Sequence, residues 1–245
     1  MRKTKAATVT VKDTYPMRIN KYLAHKGIAT RTGVDELIKS QKVLINGVIA
    51  KLGDKVLERD LVEVRGVHNK KNYVYLAYNK PVGIVSTNPQ RDEKGIIQNV
   101  KISEKVFPVG RLDKESHGLI ILTNDGRITD RLLNPIYDHE KEYAVEVDRK
   151  FTPGFLRNMQ VGVDIGEAVT KPAKVVKLDD NTFSITLTEG RNRQIRRMTE
   201  KLGYTVRDLQ RIRIQNIKLE KIPPNSFREI KGDELADFLK SIKLI

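Results

Sequence analysis

The sequence contains no cysteine, which excludes disulfides, thiol nucleophiles and thiolate zinc sites together. Histidine is scarce: His25, His68, His117 and His139 are dispersed, with no short pairing that would suggest a metal site. No apolar run approaches the roughly 18–20 residues needed to span a bilayer. The opening stretch, MRKTKAATVTVKD, lacks the apolar segment of a secretory signal. No strand–Gly-rich–helix segment of the kind that cradles a nucleotide phosphate is present either. A soluble, cytoplasmic, monomeric chain is therefore expected, with its chemistry drawn from carboxylates, tyrosines and cations.

What the sequence has in excess is positive charge. Its 245 residues carry 46 Lys and Arg against 31 Asp and Glu, a formal net charge of +15. Such a charge makes a polyanion the default partner, either nucleic acid or an anionic membrane surface. A surface-bound membrane protein would show a long basic amphipathic helix with exposed aromatics, and the helical segments here are too short for that. With 39% apolar residues the chain can bury a real core, and a small domain ahead of a larger one fits its patterning.

Residues 1–16 read as a basic flexible tail rich in Lys and Thr. From 17 to 66 the pattern is helix, helix, hairpin, strand. RINKYLAHKG places Ile19, Tyr22 and Leu23 on one face and stops at Gly27, and RTGVDELIKSQ does the same with Val34, Leu37 and Ile38. VLINGVIA alternates around Asn46-Gly47, a hairpin signal, and LVEVRGV follows as a strand. The polar stretch within 67–73 reads as a linker. From 74 to 245, YVYLAYNKPVGIVST, GLIILTNDG, KEYAVEVD, TFSITLTEG and TVRDLQRIRIQNIKLE read as strands. RITDRLL, NRQIRRMTEKLG and GDELADFLKSI read as helices between or after them. Many strands with interspersed helices and no phosphate loop indicate an α+β fold with a mixed, mostly antiparallel sheet.

Three segments of this larger domain concentrate unusual residues. In GRLDKESHG, glycines bracket Arg111 and Asp113 just before an apolar strand; alone, the two residues are equally consistent with a weak surface ion pair. In KEYAV, strand alternation puts Tyr143 on the face of Val145 and Val147, as for any core tyrosine. In EGRNRQIRRM, a dense cationic cluster opens a helix whose other face is apolar, as a solvated basic face would.

Together and in this order the segments resemble the pseudouridine synthases of bacterial ribosomal RNA, in the branch with an N-terminal S4 domain. Asp113 within GRLDKESHG, Tyr143 within KEYAV and Arg196 within GRNRQIRRM carry the resemblance, with Tyr78-Asn79-Lys80-Pro81-Val82-Gly83 ahead of them. Asn79 to Thr87, Asp138 to Tyr143 and the motif spacing bring the chain nearest to those members, designated F, that act on large ribosomal RNA. The likeness runs from about Met17 to near the C-terminus.

The resemblance implies isomerisation of a specific uridine in structured RNA. The bond from uracil N1 to ribose C1′ is cut, the base turned, and the bond remade through C5. It implies Asp113 as the catalytic carboxylate and Arg196 as a cation offsetting the rise in carboxylate pKa that a water-excluding pocket imposes. It implies Tyr143 stacking on the uracil and within reach of the C5 proton. Three routes fit these residues: attack on the ring, attack on the ribose, or proton abstraction. The target must leave its stack at a cost of a few kcal/mol, and Arg111 is the candidate to fill the vacated space. No redox or phosphoryl step occurs, so no cofactor and no metal is expected.

Lys80, Arg191 and Arg193 join Arg111 as expected RNA contacts near the site. In the S4-like module the expected phosphate contacts are Arg18, Lys21, Arg31 and Lys42, which position RNA without reading its sequence. Two departures stand out: Thr30-Arg31-Thr32 where the family has Ser-Arg-Arg, and His117, expected to face solvent. The 23S ribosomal RNA of the large subunit is the favoured partner, with transfer RNA or 16S ribosomal RNA as the alternative substrate of the same activity. A non-catalytic S4-type assembly factor shares the charge and the front module, but has no use for Asp113, Tyr143 and Arg196 in these contexts.

Overall fold

The computed structural model describes residues 15–66, 73–87, 89–90, 93–100 and 102–245. The expected basic tail up to residue 14, and residues 67–72 of the expected linker, lie outside the described residues. The chain divides between Lys71 and Asn72 into two compact units.

In the first unit a two-residue strand β1 (Met17–Arg18) leads into helices α1 (Ile19–His25) and α2 (Arg31–Lys39). Strands β2 (Val43–Ile45), β3 (Val48–Ile49), β4 (Lys55–Val56) and β5 (Val62–Val64) follow. β1 pairs with β4, and β3-β2-β5 form a separate three-stranded sheet. Asn46 and Gly47 both take positive φ, 51° and 79°, which matches the twist of the β2–β3 hairpin. Thr30 caps α2, its Oγ1 accepting from the Gly33 amide at 3.1 Å, so threonine here keeps the capping hydroxyl of the family's serine. Ile19, Leu23, Val34, Ile38, Val43, Ala50 and Val56 close the small core.

The second unit is built on a nine-stranded sheet. Its elements are β6 (Tyr75–Lys80), α3 (Ile96–Asn99), β7 (Phe107–Val109), β8 (His117–Thr123), α4 (Arg127–Leu133) and β9 (Lys141–Val147). Then come α5 (Pro153–Val161), β10 (Lys174–Lys177), β11 (Thr182–Leu187), α6 (Gln194–Lys201), β12 (Val206–Ile214), β13 (Ile217–Lys218), β14 (Phe227–Glu229) and α7 (Gly232–Ser241). The main order is β10-β11-β9-β12-β8-β6-β14. β12 is antiparallel to β9 and parallel to β8, the one parallel strand pair among the described residues. The sheet is thus mixed and mostly antiparallel.

β6 and β8 read as continuous apolar runs because both of their faces are covered. Tyr75, Ala77, Leu119 and Ile121 enter a core shared with α4 and α7, whereas Leu76, Tyr78, Ile120 and Leu122 enter a second one with Ile96 of α3. At the other half of the sheet, Val145, Val147, Phe183 and Ile185 pack against Phe155 and Met159 of α5 and Ile195 and Met198 of α6.

Two differences from the sequence reading have local causes. The stretch from Val206 to Glu220 is a hairpin rather than one long strand: Gln215 sits at φ 50° and its amide donates to the Glu140 carbonyl at 3.0 Å, reversing the chain into β13. Helix α5 was not foreseen, although Thr152 caps it by accepting from the Phe155 amide at 3.3 Å and Pro153 occupies its first turn.

The β8–β12 pair demands a glycine. Gly118 has φ 103°, and a Cβ there would run into the backbone oxygen and nitrogen of Arg211. Gly118→Ala is expected to lose about 2 kcal/mol or more through clash and backbone strain, visible as a fall in Tm of ~4–8 °C for a unit of this size. An unchanged Tm would mean that the two strands separate without penalty.

Candidate active site

The loop between β7 and β8 carries Arg111 and Asp113, and buried polar side chains hold its backbone. The Ser86 hydroxyl donates to the Leu112 carbonyl at 2.8 Å and accepts from the Leu112 amide at 2.9 Å. From the end of β6, Lys80 donates to the carbonyls of Asp113 (3.0 Å), Ser116 (2.7 Å) and Pro81 (3.1 Å). From β12, Arg211 donates through Nε to the Leu119 carbonyl at 2.7 Å and through Nη1 to the Arg111 carbonyl at 3.5 Å. A turn closed by the Ser116 amide on the Asp113 carbonyl, 3.1 Å, completes the loop.

A cavity of ≈ 420 Å³ opens beside this loop, lined among others by Arg111, Asp113, Tyr143, Arg191 and Arg193. Tyr143 is on β9, opposite Arg211 of β12, so both side chains share one face of the sheet. The tyrosine packs against the core beneath and lines the cavity. The loop between β11 and α6 supplies the far wall. Arg193 takes φ 48° just ahead of α6, which turns its guanidinium onto Glu115 at 2.8 Å and brings it to 4.0 Å from the Asp113 carboxylate. Glu189 is buried, bonded to the Lys171 amide, Arg191 and Gln194.

Several expectations need correction. The Asp113 side chain is 34% exposed rather than sealed from water. Arg196 does not pair with it. The Arg196 Nη2 lies 3.4 Å from the Glu115 carbonyl and 3.3 Å from the Ser116 hydroxyl; among the described residues its buried Nε has no partner, and Arg193 is the cation paired with the carboxylate. Lys80 is no surface contact: it is fully buried with its ammonium on three carbonyls. Burial pushes that ammonium down to about 8, against the upward pull of Asp113. His117 does not face solvent but is half-buried, its Nε2 at 2.9 Å from Asp208 of β12.

Reading the sequence also missed His139, Lys141 and Arg211, all of which line the cavity. Lys141 was within reach, since it stands two residues before Tyr143 and so on the same face. Arg211 was not, because its place opposite Tyr143 depends on the bulged β9–β12 register.

Residues 74–201 match the RNA pseudouridylate synthase family and residues 17–62 the S4 domain. The chain belongs to the RNA pseudouridylate synthase family. It is 45% identical to the dual-specificity RNA pseudouridine synthase RluF of Escherichia coli K12 over 93% of its length and 80% of that protein. It is 35% identical to the ribosomal large subunit pseudouridine synthase B of Bacillus subtilis, covering 89% of this chain and 93% of the relative. Among solved structures, a pseudouridylate synthase matches with a TM-score of 0.67 at 28% identity, over 92% of this chain and 99% of that one. This synthase therefore isomerises uridine in RNA, with an S4 module ahead of the catalytic unit. Among the described residues, no helix is long and apolar enough to cross a membrane.

The location of Lys80 and Arg193 separates their effects. Lys80→Met is expected to lower turnover on the order of 10²-fold by releasing the Asp113 loop, with the salt dependence of RNA binding unchanged. Arg193→Ala is expected to reduce the salt slope by about one phosphate. Binding assays across a salt series check both, and a shallower slope for Lys80→Met would contradict its buried placement.

Proposed function

We propose that this synthase converts a specific uridine of 23S ribosomal RNA to pseudouridine, with Asp113 as the catalytic carboxylate acting on a flipped-out base. The observation that carries this reading is the convergence of Asp113 and Tyr143 on one cavity. The loop bearing Asp113 is held by buried Lys80, Ser86 and Arg211. Tyr143, packed from below, offers its ring as a platform for the uracil and its hydroxyl to the C5 proton. Arg111 and Arg191 are exposed at the cavity, where Arg111 suits the space left in the RNA stack and Arg191 a phosphate.

Arg196 and Arg193 divide the role expected of one cation. Arg193 neutralises the exposed side of Asp113. Arg196 supports the loop through Ser116, from which a small shift in bound RNA brings it towards the carboxylate. In the front module, which we take as residues 17–66 joined through 67–73 to a catalytic unit of 74–245, Arg18, Arg31 and Lys42 are exposed and Lys21 is partly so. None of these four makes an ion pair among the described residues, which suits phosphate contact. The 23S assignment is supported by the named activity of the Bacillus subtilis relative, and the dual specificity named for the Escherichia coli relative makes a second RNA worth testing.

The test is incubation with unmodified ribosomal and transfer RNA transcripts, followed by carbodiimide labelling and primer extension. One new stop on 23S RNA is expected, absent with Asp113→Asn although that variant binds RNA within about twofold of the wild type. Tyr143→Phe is expected to bind normally and turn over poorly, by about 10²-fold or more. Product formation by Asp113→Asn would remove the aspartate from its role, and a stop confined to 16S or transfer RNA would move the substrate.

A further inference from the structure

Two cations at the cavity, Arg211 and Lys141, are withdrawn from water without a carboxylate partner among the described residues. Arg211 is 3% exposed, and after its bonds to Leu119 and Arg111 its Nη2 remains buried with no partner among the described residues. Lys141, two residues from Tyr143 and on the same face, makes one hydrogen bond among the described residues, 3.4 Å to the His139 carbonyl. Neither has a carboxylate partner among the described residues. Burial, with Arg211 nearby, pushes the Lys141 ammonium down to about 8. Two cations withdrawn from water with no carboxylate beside them are unfavourable for folding, a cost that a ligand bringing negative charge to this corner offsets.

The cavity arranges its cations by depth. Arg111, Arg191 and Arg193 are exposed, where the RNA backbone has to pass in and out. Lys141 and Arg211 share the sheet face of Tyr143 and line the cavity with it, on the side that a base stacked on the tyrosine would meet. A uracil entering there is neutral, but it does not stay so. Cleavage of the N1–C1′ bond leaves the electron pair on N1, and the uracil monoanion shares that charge with O2 and O4. C1′ is meanwhile either captured by the Asp113 carboxylate or converted to a glycal by loss of a C2′ proton. If instead the carboxylate adds to C6, the ring's π electrons move to O4 as an enolate. Each route ends with C5 bonded to C1′, as the carboxylate leaves C1′ or C6 or the C2′ proton returns to the glycal, with one proton lost from C5 and one gained at N1. Each also passes through a state with negative charge on a ring oxygen.

We propose that Lys141 and Arg211 form an anion corner that holds a ring oxygen of the detached or activated uracil. The corner favours the charged base over the neutral one, so it acts on the barrier more than on RNA affinity. This inference rests on the flipped-base reading of the cavity given above and adds the residues that stabilise the departing base.

The test uses single-turnover release of tritium from 5-tritiated transcripts, with RNA affinity across a salt series and Tm measured in parallel. Lys141→Met is expected to slow release on the order of 10²- to 10³-fold. Its Kd and salt slope should stay within about twofold, and its Tm should be unchanged or higher, because a half-buried charge with no carboxylate partner is gone. Lys141→Arg, which restores the cation, should recover the rate to within about tenfold. Release by Lys141→Met at close to the wild-type rate overturns the inference. So does a loss confined to Kd with a shallower salt slope, which would mark a phosphate contact, or a fall in Tm beyond ~5 °C, which would mark a structural role. A wild-type chain that releases no tritium overturns the underlying reading, whereas an active wild type with an equally active Lys141→Met overturns this inference alone.

Discussion

The Lys80 ammonium has three hydrogens, and each goes to a carbonyl: Pro81 on its own strand end, and Asp113 and Ser116 on the loop that carries the carboxylate. Burial disfavours this charge and lowers its pKa to about 8, well below the value near 10.4 of a solvated lysine. Below about pH 8, then, the folded state carries the full cost of an ion it would rather discharge. What the arrangement secures is a fixed distance between the end of β6 and the Asp113 loop. The methylene stem of Lys80 occupies buried volume while the head organises polar backbone. An uncharged residue of the same size would fill the space but leave the loop carbonyls without donors.

Strand β12 extends the same logic across the sheet. It pairs with β8 on one side and β9 on the other, so the segment behind Asp113 and the strand bearing Tyr143 are both hydrogen-bonded to it. Gly118 lets the β8 backbone come close to Arg211, and the Arg211 side chain then reaches back to Leu119 and Arg111. The relative position of carboxylate and tyrosine is thereby set by main-chain geometry in a sheet, which is stiffer than a pair of loops. His117 adds a further tie, to Asp208 of β12.

Much of this architecture was legible because it obeys simple periodicities. β6 and β8 announce themselves as apolar runs, α6 by Ile195 and Met198 at helical spacing, and the β2–β3 hairpin by Asn46-Gly47. Asp113 and Tyr143 were legible through their motifs and the turn glycines around them. The errors fall where tertiary partners decide. Lys80 looks like a surface cation because nothing local shows that three carbonyls await it. Arg196 and Arg193 are three residues apart on a basic segment, and the left-handed φ of Arg193 decides which of them meets the carboxylate. His117 looks solvated until Asp208, brought alongside by the parallel β8–β12 pairing, is in place. The strand that ends at Ile214 reads as continuous because the turn at Gln215 uses a residue with no turn preference.

The partial exposure of Asp113 bears on when the chemistry becomes possible. A carboxylate with a third of its surface in water is well solvated and a poor nucleophile, and its nearest cation is shared with Glu115. Entry of a flipped uracil between Tyr143 and the Asp113 loop would displace that water and leave fixed protein dipoles in its place. The carboxylate would then face Arg193 and, beneath its own carbonyl, the Lys80 ammonium. On this view the free enzyme holds its loop ready but leaves the carboxylate quenched by solvent, and the RNA itself supplies the last wall of the pocket. With Asp113 in the role proposed for it, a uridine that cannot be flipped would never create the dry site, so discrimination by RNA shape and activation of the carboxylate would be the same event.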